Sequence, residues 1–344
     1  MNRQRVICAD FRLQAIAALL LATALAGPAI AADMARETGT GRILTLQFEN
    51  DFFGHADQHF THGMRAAWMW GEDDVPQWVR DGASRMPLFQ TDGSKRVVWS
   101  LGQSTFTPDD IRSPDVIEGE RPYAGWLYVG VGLVSVSKDR MDNLELDIGM
   151  VGPASFAEHL QKTWHEWFGF QRPNGWRHQL KNEPGVVLTY ERTWRNWAPF
   201  PFFGLGGELD PHLGASVGNV LTQAAAGFTV RIGGNTGRSY DYGPPRIRPS
   251  LPGSDFFRKG EPASWYLFFG AEGRAVARNI FLDGNSFADS HSVDKKPLVG
   301  DLQAGLALII GRARLAYTHV WRTREYRTQD AMDQFGSISL SLSF

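Results

Sequence analysis

The stretch Ser337-Ile338-Ser339-Leu340-Ser341-Leu342-Ser343-Phe344 decides the fold. Its apolar residues recur at every second position, and the residues between them are small and polar. A side-chain period of two belongs to a pleated strand with one apolar and one polar face. The same alternation recurs upstream: Leu44, Leu46 and Phe48 against Thr45, Gln47 and Glu49, and Leu144, Leu146, Ile148 and Met150 against Glu145, Asp147 and Gly149. A soluble sandwich turns its polar faces to water. Here the expectation is the reverse, with apolar residues on lipid and Glu49, Glu145 and Asp147 facing a lumen.

Working outward, the alternation predicts strands near 42–50, 62–70, 96–106, 126–137, 141–151, 185–196, 200–212, 221–233, 264–277, 298–310, 313–322 and 336–344. That is an even number, as a closed antiparallel barrel of this class requires. Each segment approximates the ~9–11 residues that cross a bilayer at a tilt. Trp68, Trp70, Trp126, Tyr128, Trp194, Trp197, Trp265, Tyr266 and Trp321 fall near segment ends, as interfacial girdles do. The content of 12 Trp and 37 Gly in 344 residues agrees with such a wall. Closure matters because lipid cannot satisfy the backbone groups of an open sheet edge.

Residues 1–31 read as a cleaved signal peptide: Arg3, Arg5 and Arg12, an apolar run from Ala15 to Ala26, then Ala29-Ile30-Ala31. The expected remainder, 32–344, is one all-β domain, a closed antiparallel transmembrane β-barrel of about twelve strands in the cell outer membrane. The single cysteine, Cys8, precedes the apolar run and departs with the leader. Disulfides, a thiolate nucleophile and cysteine metal ligands are thereby excluded from the mature chain. The whole chain carries a net charge of −2, and losing the leader's arginines makes it more acidic. A nucleic-acid partner does not fit that balance.

With the N-terminus on the periplasmic side, strand parity places 51–61, 107–125, 152–184, 213–220, 278–297 and 323–335 on the cell surface. The turns 138–140, 197–199 and 311–312 are short, as periplasmic turns are. Segments 71–95 and 234–263 are long for that side, and the second, rich in proline, reads as a structured plug or flap unless the strand count is wrong.

Three surface segments are rich in functional side chains. The first holds Asn50, Asp51, Phe52, Phe53, Asp57, His59, Thr61 and His62. Asn and Asp at a strand end supply the hard oxygens calcium takes, and equally form an Asx turn. The second holds Arg112 and Arg121, whose guanidiniums match anionic substrate groups or pair with Asp109, Asp115 or Glu118. In the third, Ser155-Phe156-Ala157-Glu158 reads as a capping box opening a short amphipathic helix over 156–168. At ~100° per residue, Phe156, Leu160, Trp164 and Trp167 share one face, while His165 shares the other with Glu158 and Gln161. His165 is either solvated or a general base, since imidazole titrates near neutral pH. Gly214-Ala215-Ser216-Val217-Gly218 matches a nucleophile-elbow pattern, but that motif needs a strand–turn–helix that this setting lacks.

Taken together, these segments resemble the outer-membrane lipid A 3′-O-deacylase (LpxR-type) family. The resemblance rests on Glu49-Asn50-Asp51 with Phe60-Thr61-His62-Gly63, on Arg121-Pro122-Tyr123-Ala124-Gly125-Trp126, on His165 with Gly175-Trp176, and on Gly243-Pro244-Pro245-Arg246-Ile247-Arg248-Pro249. It covers essentially the whole mature chain. It implies a twelve-stranded barrel with its site at the outer leaflet, between the wall and a loop helix. It also implies calcium-dependent hydrolysis of the ester at the lipid A 3′ position. Asn50, Asp51, Thr61 and His165 match the family's active-site positions. Arg112 is the nearest counterpart of a family lysine, and Gln171 stands where the family has a carboxylate, which removes a charge from the metal site.

The mechanism this implies uses His165 to deprotonate a water that attacks the ester. Calcium, on Asp51 with Asn50, Gln171 or other loop oxygens, stabilises the oxyanion. Arg112, Arg121 and Trp176 are the expected contacts to lipopolysaccharide, the substrate of a monomeric barrel. Strand parity puts Asp51 and Asn50 on opposite faces, so they converge only if the strand twists or bulges. Rival readings are a non-catalytic channel or structural barrel and a surface phospholipase.

Overall fold

The computed structural model describes residues 41–51, 59–90, 93–234, 241–247, 249–250, 253–258 and 260–344. The expected leader and Phe52, Phe53, Asp57 and Arg248 lie outside the described residues. The strands are β1 (Ile43–Asn50), β2 (His59–Met69), β3 (Ser94–Thr107), β4 (Ala124–Val136), β5 (Arg140–Val151), β6 (Glu183–Trp194) and β7 (Ala198–Phe202). They continue with β8 (Leu205–Gly218), β9 (Leu221–Gly234), β10 (Gly260–Asn279), β11 (Leu298–Gly311), β12 (Ala313–Arg322) and β13 (Asp333–Ser343). Among the described residues, three α-helices sit in connections: α1 (Gln77–Arg85), α2 (Ala157–Phe168) and α3 (Ile280–Asp283).

Sequential neighbours pair antiparallel, and the ring closes where β1 meets β13, in register from Ile43↔Ser343 to Asn50↔Gly336. On the far side β6 pairs directly with β8, from Val187↔Gly218 to Thr193↔His212. The short β7 then continues along the same edge of β8, from Ala198↔Leu209 to Phe202↔Leu205. Thus β6 and β7 are two pieces of one wall strand, and the barrel is closed, antiparallel and twelve-stranded.

The alternation sets which way each side chain faces. Ser337, Ser339 and Ser341 are buried in the interior with Thr45, Gln47, Glu49, Glu145 and Asp147, whereas Ile148, Leu267 and Leu302 are exposed on the outside.

The expected turn at 197–199 is instead an irregularity within the wall. Asn196 adopts a left-handed backbone (φ 56°), so the extra residues bulge without reversing the chain. The reversal comes at Phe203 and Gly204, both with positive φ (46° and 81°), as a two-residue hairpin requires. Pro199 and Pro201 are tolerated because β7 pairs only through its β8 edge among the described residues. The expected surface connection 213–220 shrinks to the two residues between β8 and β9. Ser216 of the rejected nucleophile motif lies inside β8, its hydroxyl 2.9 Å from that of Thr189 across the sheet.

The long connection after β9 is a plug rather than a counting error. Tyr242, Phe256 and Phe257 pack with Ile43, Met69, Val98, Val134 and Ile309 inside one end of the barrel. Polar anchors tie the plug to the wall. Gln47 donates to the Pro245 carbonyl (2.9 Å), Arg246 pairs with Glu49 (3.1 Å), and Arg314 pairs with Asp241 (2.7 Å). Arg65 forks onto both oxygens of Asp255 at 3.0 Å. Removing one partner of a buried pair strands the other's charge, at a cost of about 3–5 kcal/mol. Asp255→Ala is therefore expected to lower the temperature at which the barrel unfolds on heated SDS gels. An unchanged transition would mean that Glu145, 3.5 Å from Arg65, suffices alone.

Candidate active site

At the end of the barrel where β1 hands over to β2, the outward-facing positions of the two strands form a patch: Phe48 opposite Met64 and Asn50 opposite His62. The segment after β5 crosses to this patch as helix α2. Gly152 (φ 92°) and Phe156 (φ 58°) turn the chain before it, and Gly169 (φ 68°) ends it. The capping box does not form. Phe156 is the N-cap, Ser155 donates to the Gly152 carbonyl (2.6 Å), and Glu158 pairs with Lys162 at 2.5 Å.

The helix also sits the other way round from a simple amphipathic reading. Ala157, Gln161 and His165, one turn apart, form the buried face, while Phe156 and Trp167 are 64% and 75% exposed. On a barrel whose outside meets lipid, an apolar face need not turn toward protein. Trp164 lies over Phe48 with ring centroids 5.8 Å apart and packs on Phe168 at 4.6 Å, which seats the helix on the wall.

Between helix and wall is a cavity of about 130 Å³. Phe48, Met64, Leu160, Trp164 and Phe170 make most of its lining apolar. Asn50, Asp51, Thr61, His62, Gln161 and His165 bring polar groups to it. Asn50 and Asp51 therefore do converge, although they sit on opposite faces by parity, because Asp51 lies just past the end of β1.

His165 is 4% exposed, and its Nδ1 faces the backbone carbonyl of Gln171 at 2.5 Å. A carbonyl oxygen offers only lone pairs, so Nδ1 carries the proton and Nε2 is the basic nitrogen. Asn50 Nδ2 donates to the Thr61 carbonyl (2.8 Å), and the Thr61 and Thr107 hydroxyls share a 2.7 Å hydrogen bond. His62 Nε2 lies 3.2 Å from the Thr105 hydroxyl.

The other expected residues fall elsewhere. Gln171 is exposed and meets His165 through its backbone, so it orients the imidazole instead of presenting a side-chain oxygen to the cavity. Arg112 lies on the surface beside Asp110 (2.9 Å), and its hydrogen bonds hold the Asp110 carboxyl below the usual carboxylate range. Arg121 is 1% exposed and pairs with Glu325 at 3.3 Å, none of the partners expected from local sequence. Burial alone would raise the Glu325 carboxyl, but the guanidiniums of Arg121 and Arg322 hold it below its ordinary value. Trp176, also 1% exposed, packs on Tyr123 with centroids 5.0 Å apart. Direct substrate contact by Arg121 and Trp176 does not fit this burial.

Gln161 was legible only as a neighbour of His165 four residues on. Its Oε1 accepts from Trp176 Nε1 (2.7 Å), and its Nε2 is buried with no hydrogen-bond partner among the described residues.

Asp51 is the one carboxylate among the described residues lining the cavity, and Asn50 and Thr61 are neutral oxygen donors beside it. Among the described residues no group of three or more His, Cys, Asp and Glu side chains gathers to cage a metal. This donor set suits a calcium ion whose remaining ligands come from water or substrate.

Fold and site together define a class: an outer-membrane β-barrel with a histidine-bearing apolar cavity on the outside of its wall. The family profile of Outer membrane protein LpxR matches residues 16–344, and the chain belongs to that family. The fold is similar to that of LpxR from Salmonella typhimurium (TM-score 0.69, 19% identity, covering 88% of this chain and 100% of that one). The β domain of the Bordetella autotransporter Brka is a more distant structural neighbour (TM-score 0.42, 10% identity, 88% and 99% covered). No curated protein matches the chain at the level of sequence.

Proposed function

We propose that this barrel is a carboxylic ester hydrolase that removes the 3′-linked acyl chain from lipid A of lipopolysaccharide, with its site at the outer leaflet and the barrel working as a monomer. The observation that carries the reading is the position of the cavity. It lies on the outer, lipid-facing side of β1 and β2, beneath α2, while described plug residues pack inside the barrel at one end of the lumen. A substrate whose acyl chains already lie in the bilayer reaches such a cavity sideways, along Phe48, Met64 and Trp164. A channel would instead need an open lumen.

In the proposed reaction His165 Nε2 takes a proton from water, and the water oxygen attacks the ester carbonyl. The tetrahedral intermediate collapses, and the imidazolium returns the proton to the departing sugar oxygen, giving a free fatty acid and a 3′ hydroxyl. The Gln171 carbonyl holds the imidazole in the right tautomer and stabilises its positive charge. Thr61 holds the Asn50 amide beside Asp51. Asp51 and Asn50 would hold calcium, which when bound supplies positive charge close to the ester carbonyl. Arg112, exposed at the same end of the barrel, is free to meet a lipid A phosphate once it leaves Asp110.

Mass spectrometry of lipid A from cells with and without the gene tests this directly. The expected result is lipid A lighter by its 3′ acyl group when the protein is present. Intact lipid A alongside a well-assembled barrel would overturn the assignment, and lysophospholipid in its place would identify a surface phospholipase.

A further inference from the structure

Ester hydrolysis needs something to receive the negative charge that develops on the carbonyl oxygen, and donors aimed at that oxygen contribute heavily to catalysis. No lysine or arginine is among the described residues lining the cavity. Among the described residues on this lining, the buried side-chain donor that lacks a partner is Gln161 Nε2.

A primary amide is ordinarily ambiguous, because its oxygen and nitrogen can be exchanged by a flip. Here the ambiguity is removed. An indole N–H can only donate, so the Trp176 bond at 2.7 Å requires Oε1 on that side. Trp176 is itself locked by burial and by its contact with Tyr123. The trigonal amide then directs its N–H groups away from Trp176. Gln161 lies one helical turn before His165 on the same buried face, so donor and base look into one cavity from a single rigid element. Leaving a buried amide N–H unpaired is unfavourable, an arrangement that makes sense where a ligand completes the bond.

We propose that Gln161 Nε2 is an oxyanion donor of this site. It hydrogen-bonds the substrate carbonyl oxygen as that oxygen becomes negative, and Trp176 is the positioning residue that keeps the amide turned the right way. This rests on the hydrolase reading but not on lipid A being the ester.

The test uses the purified, refolded full-length barrel with Gln161→Met, which keeps size without the donor, and Trp176→Phe, which keeps the ring without the N–H. Two quantities are read: the rate of ester cleavage, and affinity for a long-chain alkyl phosphonate monoester, whose tetrahedral oxygens mimic the intermediate. Gln161→Met is expected to lower kcat about 10²–10³-fold with little change in KM. Phosphonate affinity is expected to fall in parallel, with Trp176→Phe falling between wild type and Gln161→Met in both. A variant that stays heat-modifiable but keeps wild-type kcat and phosphonate affinity overturns the proposal, and so does loss of thermal stability alone. Wild-type protein that spares lipid A yet binds the phosphonate through Gln161 supports the donor and removes only the substrate. Wild-type protein that neither cleaves nor binds removes both.

Discussion

Replacing His165 with glutamine is expected to lower kcat of the proposed lipid A deacylation about 10²–10⁴-fold, the typical contribution of a general base. Glutamine keeps much of the size and can still donate to the Gln171 carbonyl, but it cannot accept a proton from water and pass it on. The loss is therefore expected in kcat, with KM and heat-modifiable migration close to wild type. Trp164→Ala is the necessary contrast. It removes the ring that sits over Phe48 and Phe168, so it should loosen α2 and change KM and stability together. Wild-type turnover by His165→Gln would leave the Nδ1–carbonyl contact as a helix-end tether and send the search for a base to His62.

Chelating calcium is expected to abolish deacylation while the barrel stays folded. Closure depends on the backbone pairing of β1 with β13 and of β6 with β8, which does not use the cavity's side-chain oxygens. Calcium should restore activity and magnesium should not. The larger ion accepts an irregular set of oxygens, whereas magnesium demands a near-ideal octahedron and gives up water reluctantly. With Asp51 the sole carboxylate among the described lining residues, Asp51→Asn should remove most activity at low calcium and recover part of it at high calcium. Gln171→Glu restores the carboxylate of the family pattern, but the Gln171 side chain is exposed and only its backbone meets His165. Its effect on calcium requirement should therefore be small. Full activity in chelator would remove the ion from the reaction and leave the protein's own donors to carry the oxyanion.

The wall was legible in the residues because a strand has only two faces. Ser337 through Ser343 and Leu44 through Glu49 show which side meets lipid, since any register slip of one residue would put serines or a glutamate on hydrocarbon. The wall count followed from the same rule, and it survived a misplaced boundary because Asn196 bulges the strand instead of reversing it. His165 and Asp51 were singled out by the family resemblance of the motifs that hold them, since residue pattern alone left a solvated histidine and an Asx turn open. What sequence could not decide were the relations that depend on which neighbour arrives. Helical periodicity separated His165 and Gln161 from Trp164 and Trp167, yet only the packed structure shows the polar face buried and Trp167 outside. Around a barrel, lipid competes with protein for the apolar face, so amphipathicity alone does not assign it. Arg121 was paired by proximity with Asp109, Asp115 or Glu118, but its partner Glu325 is more than two hundred positions away and comes close only when the ring closes. The tautomer of His165, the orientation of the Gln161 amide and the plug's anchoring on Glu49 and Arg65 likewise arise from contacts between distant segments. Local pattern determines the wall because backbone geometry repeats along the strand; the site is made where strand ends and loops meet, and tertiary structure alone decides what meets there.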